Sequence, residues 1–597
     1  VRSNDNRQPA GTLALGVLTL RLEARLGTWH PDGDDAPGAA VPAFAEWGRA
    51  PEIPGPLIRV PAGTDVAITL RNALAATLIV HGLSPRPLAD SVADTLQLAA
   101  GATRTVRFRL AVPGTYYYWG TSTARPSLGR RFHEDAQLSG AIVVDEPGRA
   151  APADRVIVIG MWADTAGAPS PRQELFVLNG RSWPRTERLA YTQGDTVRWR
   201  VLNVTADFHP MHLHGFYFRV DSRGDVRADT TYEPMRGEME VTERMIPGET
   251  VRLTWVPDRA GNWLFHCHVP GHIGPRDALG MKPAPGRGRH ALKHGPDEMT
   301  GLILGISIRP RAGDVGARPI GNAPRRHLRL LARQNAGGTV ANPYYGFALA
   351  NGDAEPPPDS GEHAGPTIVL TRGEPVTITV VNRTPEPTSV HWHGIELESY
   401  FDGVGGWSGD RALLAPVIAP GDSFDARFAP PRAGTFIYHT HFDEIRQEPA
   451  GLAGALVVLE PGAPWDLSRD LVVLISTPSD SALGLRAVLI NGDSAPPPAD
   501  LRAGTTYRLR FINIAVNRGA MRVQVVRDTS VVQWRVVAKD GAAWPAARQG
   551  MSPARRPLSV GETVDVELTP DAPGDLRVEA RSVGGALLGV LPIHVQE

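Results

Sequence analysis

Four pairs of histidines, each separated by one residue, are the part of this sequence best suited to chemistry. They are His212/His214, His266/His268, His391/His393 and His439/His441, taken from the eighteen histidines of the chain. On a β-strand, residues i and i+2 face the same side, so each pair would present two imidazoles to one point. Imidazole is a good ligand for Zn, Cu, Fe and Ni, and the pattern therefore predicts a metal centre. The alternative is that each histidine is an ordinary core or surface residue.

The only cysteine, Cys267, lies between His266 and His268 and is followed by His272. On a strand its side chain points away from both neighbours, so one short segment can serve two metal sites on opposite faces. A cysteine with two histidines and a weak thioether is the ligand set of a blue-copper electron-transfer site. The second histidine would be His209, which opens the segment HPMHLHG. A buried structural thiol is the alternative.

The segments HPMHLHG, HCHVPGH, HWHG and HTH together resemble the four copper signatures of the multicopper oxidases, the family of laccases, ascorbate oxidases and metallo-oxidases. The resemblance implies four copper ions and the coupling of one-electron substrate oxidation to the four-electron reduction of dioxygen to water. By motif position, it assigns the type 1 copper to His209, Cys267 and His272, and the type 2 copper to His212 and His391. It assigns the type 3 pair to His214, His266, His268, His393, His439 and His441.

The axial ligand of the type 1 copper does not follow the family spacing. Five residues after His272 stands Asp277, which is unsuited to blue copper. Met281 and Met299 are both candidates, and we favour Met299 because it directly precedes the strand-like segment LILGISI, which aligns with LLGVLPIHV near the end of the chain. This choice implies an insertion over residues 273–298. We hypothesise that this insertion lies beside the type 1 site and covers or shapes the substrate entrance, and the alternative is a disordered surface segment.

Asp402, in the segment FDGVG, resembles the family's acidic residue near the type 2 copper. The resemblance implies a role in proton delivery to the oxygen-reducing site, whereas an Asp-Gly turn is the plain alternative. The acid that some family members carry directly after the type 1 histidine is absent, because Ile273 stands there.

The elements that must position these residues are revealed by an internal repeat. The segment from Gly55 to Asn72 matches the segment from Gly365 to Asn382, and LSGAIVVDEPG ending at Gly148 matches LAGALVVLEPG ending at Gly462. The chain therefore reads as a tandem duplication of a two-domain unit. We divide it into domain A (1–150), domain B (151–315), domain A′ (316–462) and domain B′ (463–597).

Strand-like alternation within each domain, together with 63 Gly and 54 Pro, predicts an all-β protein of four Greek-key β-sandwiches. The resemblance makes these sandwiches cupredoxin-like. Such a division also suits the length of 597 residues, which is too great for one hydrophobic core.

The two copies have kept different halves of the metal site. In domain B′, Gly519, Arg522 and Gln524 replace His209, His212 and His214, and Glu579-Ala580-Arg581 replaces the His-Cys-His segment. Domain A keeps His81, which we interpret as structural, and has Trp119-Gly120-Thr121 in place of the His-Thr-His segment. We therefore predict one type 1 copper in B, one trinuclear centre between B and A′, and metal-free A and B′.

The composition of the chain limits the kinds of binding partner that we expect. Lys+Arg of 62 against Asp+Glu of 63 argues against nucleic-acid binding, and no apolar run is long enough for a membrane span. We expect dioxygen and a small reducing substrate instead. Met235, Met239 and Met245 are interpreted as core filling, and the lack of a Met-rich segment favours phenols or aromatic amines over metal ions as substrate.

Other functions stay open as alternatives: a metallo-oxidase, a copper nitrite reductase, and a non-catalytic blue-copper electron-transfer protein. A zinc hydrolase fits poorly, because a cysteine between two histidines on one strand is not a usual zinc spacing. The chemistry favours a periplasmic or extracellular protein, and the start at Val1 is consistent with a removed signal peptide.

Overall fold

The computed structural model describes residues 1–88, 94–123, 127–131, 135–148, 153–163, 174–274, 276, 279, 299–313, 325–339, 342–350, 352, 354–357, 360–478, 487–516 and 520–597. Within these ranges the chain forms forty-five β-strands and a single α-helix, α1 (Glu444–Gln447). The prediction of an all-β protein is confirmed. The domain junctions predicted at 150/151 and 315/316 lie outside the described residues.

The strands of domain A are β1 (Arg2–Ser3), β2 (Thr12–Ala14), β3 (Val17–Trp29), β4 (Ala39–Glu46), β5 (Glu52–Ile53), β6 (Gly55–Pro61), β7 (Thr64–Asn72), β8 (Leu78–His81), β9 (Thr95–Leu98), β10 (Thr103–Leu110), β11 (Gly114–Thr121) and β12 (Ser139–Asp145). Those of domain B are β13 (Arg155–Ala163), β14 (Glu174–Leu178), β15 (Arg188–Thr192), β16 (Val197–Asn203), β17 (His209–Leu213), β18 (Phe218–Gly224), β19 (Asp229–Thr231), β20 (Met239–Glu240), β21 (Thr242–Met245), β22 (Thr250–Trp255), β23 (Gly261–Cys267) and β24 (Ile303–Arg309).

Domain A′ contains, besides α1, the strands β25 (Arg326–Gln334), β26 (Tyr345–Ala350), β27 (Gly365–Thr371), β28 (Val376–Arg383), β29 (Val390–His393), β30 (Ser423–Phe428), β31 (Gly434–Thr440) and β32 (Ala453–Leu459). Domain B′ contains β33 (Asp470–Ser476), β34 (Leu489–Ile490), β35 (Ala499–Arg502), β36 (Tyr507–Asn513), β37 (Ala520–Arg527), β38 (Ser530–Val531), β39 (Gln533–Lys539), β40 (Ala542–Ala543), β41 (Met551–Pro553), β42 (Arg555–Ser559), β43 (Glu562–Leu568), β44 (Gly574–Ser582) and β45 (Leu587–Gln596).

Each domain consists of two sheets, and the same pairings recur in all four. One sheet of each domain contains a parallel pair, namely β3/β7, β13/β16, β25/β28 and β33/β36. The other contains β6/β12, β15/β24, β27/β32 and β35/β45, which are also parallel. This recurrence is the structural counterpart of the sequence repeat. It also shows that the segment LILGISI forms β24, the equivalent of the terminal strand β45.

Side-chain alternation explains how the sheets close on one another. In β7, residues Thr64, Val66, Ile68 and Leu70 are buried, whereas the intervening side chains are not. Burial with period two is the signature of a strand with one face on a core. One apolar core lies within each domain as a result.

Smaller apolar clusters join the domains. Tyr117 and Val158 belong to a cluster between A and B, and Ile437 and Ile512 to one between A′ and B′. A third cluster, made of Tyr217, Val241 and Ala542, joins B directly to B′. Three of the domains therefore meet close to the strands that carry the histidines.

The interpretation of the clustered methionines as core filling is wrong for two of them. Met235 is 85% exposed and Met239 is 37% exposed. Met245 is buried, and its backbone lies opposite His209 in the pairing of β21 with β17. The difference arises because Met235 lies on a short 3₁₀ turn and Met239 on a two-residue strand at the protein surface. Within the described part of the chain, no helix is long and apolar enough to cross a membrane.

Candidate metal centre

Two pairs of neighbouring antiparallel strands carry the four histidine pairs. In domain B, the pairing of β17 with β23 places His212 opposite His266 and Met211 opposite Cys267. In domain A′, the pairing of β29 with β31 places His391 opposite His439. Because side chains at i and i+2 share a face, each strand pair turns four imidazoles toward one side.

Cys267 faces the opposite side of β23, as predicted, and lies among two histidines. Its Sγ is 3.7 Å from His209 Nδ1 and 3.4 Å from His272 Nδ1, and the two Nδ1 atoms are 3.1 Å apart. Cys267 is fully buried. His272 reaches this position through the 3₁₀ turn Pro270–His272, which follows the end of β23 at Cys267 after two residues. One cysteine and two imidazoles converging in this way could hold a metal ion, and they are the residue types that a blue-copper site requires.

The surroundings of this group hold the two imidazoles in place. His209 Nε2 is 2.9 Å from the hydroxyl of Thr205, and the Phe176 ring packs on His272 with a centroid distance of 4.1 Å. Asp207 Oδ2 lies 3.6 Å from His272 Nε2, at the exposed edge of the site. Burial raises the pKa of the Cys267 thiol, so a thiolate here requires a bound cation.

Only one of the two candidate axial ligands lies within the described residues. Met299 is partly buried and packs against the same apolar core that includes Cys267. Met281, Asp277 and nearly all of the 273–298 insertion lie outside the described residues. The position of Met299 is consistent with the axial role predicted for it, and that role stays a prediction.

The eight histidines of the four His-x-His pairs form three groups at the junction of domains B and A′. The groups are His212/His214/His391, His214/His266/His441 and His268/His393/His439, and within each the potential ligand atoms lie within 4.8 Å of one another. All eight side chains are buried. His212 Nε2 and His391 Nε2, from the two residues assigned to type 2 copper, are 3.4 Å apart. Tertiary folding therefore unites residues that are almost two hundred positions apart.

Several of these imidazole nitrogens have no hydrogen-bond partner among the described residues, although they are buried. They include both ring nitrogens of His268, Nδ1 of His393 and Nε2 of His439. A buried polar atom without a partner costs about 1–3 kcal/mol, so the protein alone leaves this cluster unfavourable. A metal ion relieves that cost by accepting the nitrogen lone pairs. The donor set therefore fits three metal ions of a kind that imidazole binds well, and copper is among these metals.

Burial also favours the neutral form of seven of these imidazoles by lowering their pKa values. It lowers the pKa of His212, His214, His268, His393 and His441 far below the usual range for histidine, with a further contribution from neighbouring imidazoles. The pKa values of His266 and His439 fall to about 3, again mainly through burial. Neutral imidazole is the form that binds a metal, so the site is ready for ions at neutral pH.

Asp402 lies between the two halves of the cluster. Its Oδ2 accepts a hydrogen bond of 2.8 Å from His214 Nδ1 and one of 3.2 Å from Ser408 Oγ. Its backbone carbonyl accepts a hydrogen bond of 2.7 Å from His391 Nδ1. Oδ1 of the same fully buried carboxyl group lies 3.4 Å from His391 Nδ1, so Asp402 contacts one histidine of each domain. These bonds orient both rings so that their Nε2 atoms face the cluster.

Two buried acids beside the cluster were missed by sequence reasoning. Glu444 Oε1 lies 3.2 Å from His441 Nδ1, and Glu448 Oε1 lies 2.7 Å from His439 Nδ1. Burial raises the pKa of both carboxyl groups well above the usual range, and the charge of Glu448 raises that of Glu444 further. Helix α1 begins at Glu444, three residues after His441, and Glu448 directly follows its last residue. The one signal in the sequence was the short distance along the chain from His439 and His441 to these two acids.

Positions in A and B′ that correspond to ligands carry other interactions. The His81 ring stacks on Trp119 with a centroid distance of 4.2 Å. Glu579 accepts hydrogen bonds from Arg581 and from Gln524, at 2.7 Å and 2.8 Å. Gly519, the counterpart of His209, lies outside the described residues. That A and B′ bind no metal stays a prediction. In the structure, His81 and Glu579 contact other protein groups instead.

Comparison with known proteins reveals relatives along most of the chain. A family model described as multicopper oxidase matches residues 43–149 and 360–463. A second family model with the same description matches residues 155–282. Together they cover more than half of the chain, including all of the histidine pairs.

Individual relatives are similar over shorter stretches. Laccase-24 of Oryza sativa subsp. japonica is 29% identical over 268 residues, which are 39% of this chain and 42% of that protein. Copper resistance protein A of Escherichia coli is 36% identical over 184 residues, which are 30% of this chain and 29% of that protein. The chain therefore spans less than half the length of these curated relatives. A solved structure described as a multicopper oxidase from Campylobacter jejuni, a metallo-oxidase, is 16% identical with a TM-score of 0.36, covering 76% of this chain and 94% of that one.

Proposed function

Because the chain belongs to the multicopper oxidase family, we propose that it oxidises a reducing substrate one electron at a time and reduces dioxygen to water. The observation that carries this proposal is the position of Cys267. Cys267 is bonded through the backbone to His266 and His268, and these two histidines belong to the buried cluster on the other face of β23. One segment therefore links an electron-accepting site to an oxygen-reducing site by a short covalent route.

Copper is the metal of this family, and each ligand group has a role in the proposal. His209, Cys267 and His272, with Met299 as axial ligand, would hold the type 1 copper, and His212 with His391 the type 2 copper. The type 3 pair would be held by His214, His266 and His441 and by His268, His393 and His439. When bound, these ions supply the one-electron transfers and stabilise the negative charge that develops on dioxygen.

The protein's own groups complete the oxygen-reducing site. Asp402 holds His214 through Nδ1 and, through its backbone carbonyl, His391. Water formation also consumes four protons, and we assign to Asp402 the delivery of a proton through Oδ1. This oxygen lies 3.4 Å from His391 Nδ1 and accepts no hydrogen bond among the described residues. Burial of all eight imidazoles excludes bulk water from the cluster.

The substrate assignment rests on the edge of the type 1 site. The Asp207 carboxylate, 38% exposed and 3.6 Å from His272 Nε2, can accept a hydrogen bond from a phenolic hydroxyl or an aromatic amine. This feature supports laccase-like oxidation of small aromatic donors. A metallo-oxidase is the second candidate, since a carboxylate there would also attract Cu⁺, Fe²⁺ or Mn²⁺, and Met235 and Met239 are exposed.

Copper content and the visible spectrum of the oxidised protein test the proposal. We expect about four copper ions per chain, a strong band at about 600 nm from the Cys267 thiolate, and a near-ultraviolet shoulder from the type 3 pair. About one copper with the blue band alone would instead indicate an electron-transfer protein. Removal of copper by a chelator should abolish oxygen consumption, and copper addition should restore it.

Steady-state oxygen consumption separates the two substrate classes. We expect kcat/KM for a methoxyphenol or an aromatic diamine to exceed that for Cu⁺, Fe²⁺ or Mn²⁺. Asp207→Asn serves as the test of the docking edge, because it keeps the shape and removes the charge. A higher kcat/KM for a metal ion, lost in Asp207→Asn, would favour the metallo-oxidase instead. The proposed location, periplasmic or extracellular, is consistent with either substrate.

The axial ligand provides a separate prediction. Replacing Met299 with Leu is expected to keep the blue band and raise the reduction potential of the type 1 copper, because the thioether that stabilises the cupric state is lost. A redox titration followed at the blue band measures this shift. Met281→Leu is the matched control and should leave the potential unchanged. If only Met281→Leu raises the potential, the axial role belongs to Met281.

A further inference from the structure

Domain B′ supplies none of the proposed ligands, yet it lies against the histidine cluster. Gly561, with a φ of +81°, approaches the His268 ring so closely that an added Cβ would lie 2.7 Å from its carbon atoms. This contact shows that the boundary of the cluster is formed partly by the domain that lost its own ligands. B′ is therefore in a position to shape the site.

A two-residue segment of domain B, Val241 and Thr242, contacts the cluster from the same side. The carbonyl of Val241 accepts a hydrogen bond of 2.9 Å from His212 Nδ1. The hydroxyl of Thr242 lies 3.2 Å from His212 Nδ1 and 3.2 Å from His393 Nε2. This segment therefore touches one histidine assigned to type 2 copper and one assigned to type 3 copper, from two different domains.

Two charged residues of B′ hold that segment in place. Asp540 Oδ2 accepts hydrogen bonds from the backbone N–H groups of Val241 and Thr242, both at 3.1 Å. Lys539 Nζ donates a hydrogen bond of 2.8 Å to the carbonyl of Thr242. Asp540 is itself fixed, because its Oδ1 accepts a hydrogen bond of 2.9 Å from the N–H of Thr563. Asp540 thus binds both N–H groups of the segment, and Lys539 binds its last carbonyl.

Lys539 and Asp540 are 5% and 2% exposed, so this arrangement is deep inside the protein. Lys539 Nζ also contacts Glu240 and lies 3.1 Å from Glu562 Oε1. Transfer of such charges from water costs several kcal/mol per ion, and well-packed apolar residues often join two domains as stably. The stability of the domain contact therefore gives little reason for charged residues at positions 539 and 540. A need to fix the geometry of the Val241–Thr242 segment gives such a reason.

We propose that Lys539 and Asp540 are positioning residues of the trinuclear centre. They fix the Val241–Thr242 segment. The Val241 carbonyl accepts a hydrogen bond from Nδ1 of His212, which leaves Nε2 of His212 free to face the metal. The Thr242 hydroxyl likewise binds Nε2 of His393 and leaves Nδ1 free. The inference rests on the proposed function, since it assumes that these histidines bind copper. Domain B′ then has a role in metal binding although it carries no ligand.

The test compares Asp540→Ala with Glu579→Ala in the full-length protein. Glu579 is another buried acid of B′, and its partners lie within B′. Loss of an outer partner of a metal-bound histidine typically lowers metal affinity about 10–100-fold. We expect Asp540→Ala to keep the blue band but to bind type 2 copper about 10–100-fold more weakly, as measured by the type 2 electron paramagnetic resonance signal during copper titration. Asp540→Asn, with one acceptor oxygen, should be intermediate, and Glu579→Ala should behave as wild type.

The wild-type protein separates this inference from the proposed function. If wild type shows no type 2 signal, the proposed function fails. If wild type shows it and Asp540→Ala binds type 2 copper as tightly as Glu579→Ala, the positioning role is overturned. Should Asp540→Ala fail to fold, Thr242→Val removes only the hydroxyl that contacts His212 and His393. A weaker type 2 signal in that variant supports the inference, and an unchanged one overturns it.

Hydrogen exchange gives a readout that needs no metal. In the copper-free protein, the amides of Val241 and Thr242 should exchange faster in Asp540→Ala than in wild type, because their acceptor is lost. Exchange in Glu579→Ala should match wild type at these two positions. Equal exchange in all three proteins would contradict the proposed link.

Discussion

Replacing Cys267 with Ser is expected to abolish the blue band and to lower substrate-dependent oxygen consumption by more than about 100-fold. The expectation follows because Cys267 is the proposed thiolate ligand of the type 1 site and is bonded through the backbone to His266 and His268. A change to an outer partner of a metal ligand costs about 10–100-fold, so loss of a direct ligand costs more. The measurements are the visible spectrum, copper content and oxygen uptake, with about three coppers retained per chain.

Thr440→Ser is the matched control for this substitution. Thr440 occupies in A′ the place that Cys267 has in B, between two histidines of one strand. Its hydroxyl donates to the carbonyl of Phe442 at 3.0 Å, an interaction that serine can retain. The control should keep the blue band and full oxygen uptake. Substantial oxygen consumption by Cys267→Ser, with the control unchanged, would exclude Cys267 as the electron entry point.

Replacing Asp402 with Asn is expected to lower the rate of dioxygen reduction about 10–100-fold, the usual effect of altering a group that orients metal-bound histidines. The amide keeps the size of the carboxylate but loses the charge that holds His214 Nδ1–H and cannot pass a proton in the same way. Reduction of the type 1 copper by substrate should be unaffected, because Asp402 lies on the other side of β23. Stopped-flow measurement of both half-reactions separates the two effects.

Asp410→Asn controls for a general effect on this loop. Asp410 is exposed and its Oδ1 accepts hydrogen bonds from the N–H groups of Ala412 and Leu413, which an asparagine oxygen also does. Both half-reactions should match wild type in the control. Unchanged dioxygen reduction in Asp402→Asn would remove both the proton-delivery role and the orienting role, leaving a structural turn residue.

The local pattern of this sequence was sufficient to predict the fold class and the groups of ligand type. Strand periodicity placed two imidazoles of each His-x-His pair on one face and Cys267 on the other, which the pairing of β17 with β23 shows. The inference about side-chain direction succeeded because the direction of a side chain on a strand depends only on neighbours in the chain. The division of the metal site between domains, which the repeat indicated, stays a prediction.

Sequence reasoning failed where two segments meet only through packing. It treated Met235 and Met239 as core residues, although nothing in a local pattern distinguishes an exposed turn from a buried strand end. It did not single out Glu444 and Glu448, because their chemistry comes from burial beside His441 and His439. The raised pKa of each acid is a property of its desolvated surroundings and not of its residue type.

By itself, then, the sequence determined an all-β chain, a duplicated pair of domains and a set of imidazoles and one thiol with the spacing of copper ligands. Only the tertiary structure decided that His212 and His391 come within 3.4 Å of each other, and that Asp402 joins the two halves. It also decided that B′, which the repeat marks as a scaffold, places Lys539 and Asp540 behind the cluster. The physical reason is that residue type and side-chain direction on a strand are local properties. The approach of histidines from two domains, their burial and their hydrogen bonds to further residues arise only when distant parts of the chain pack together.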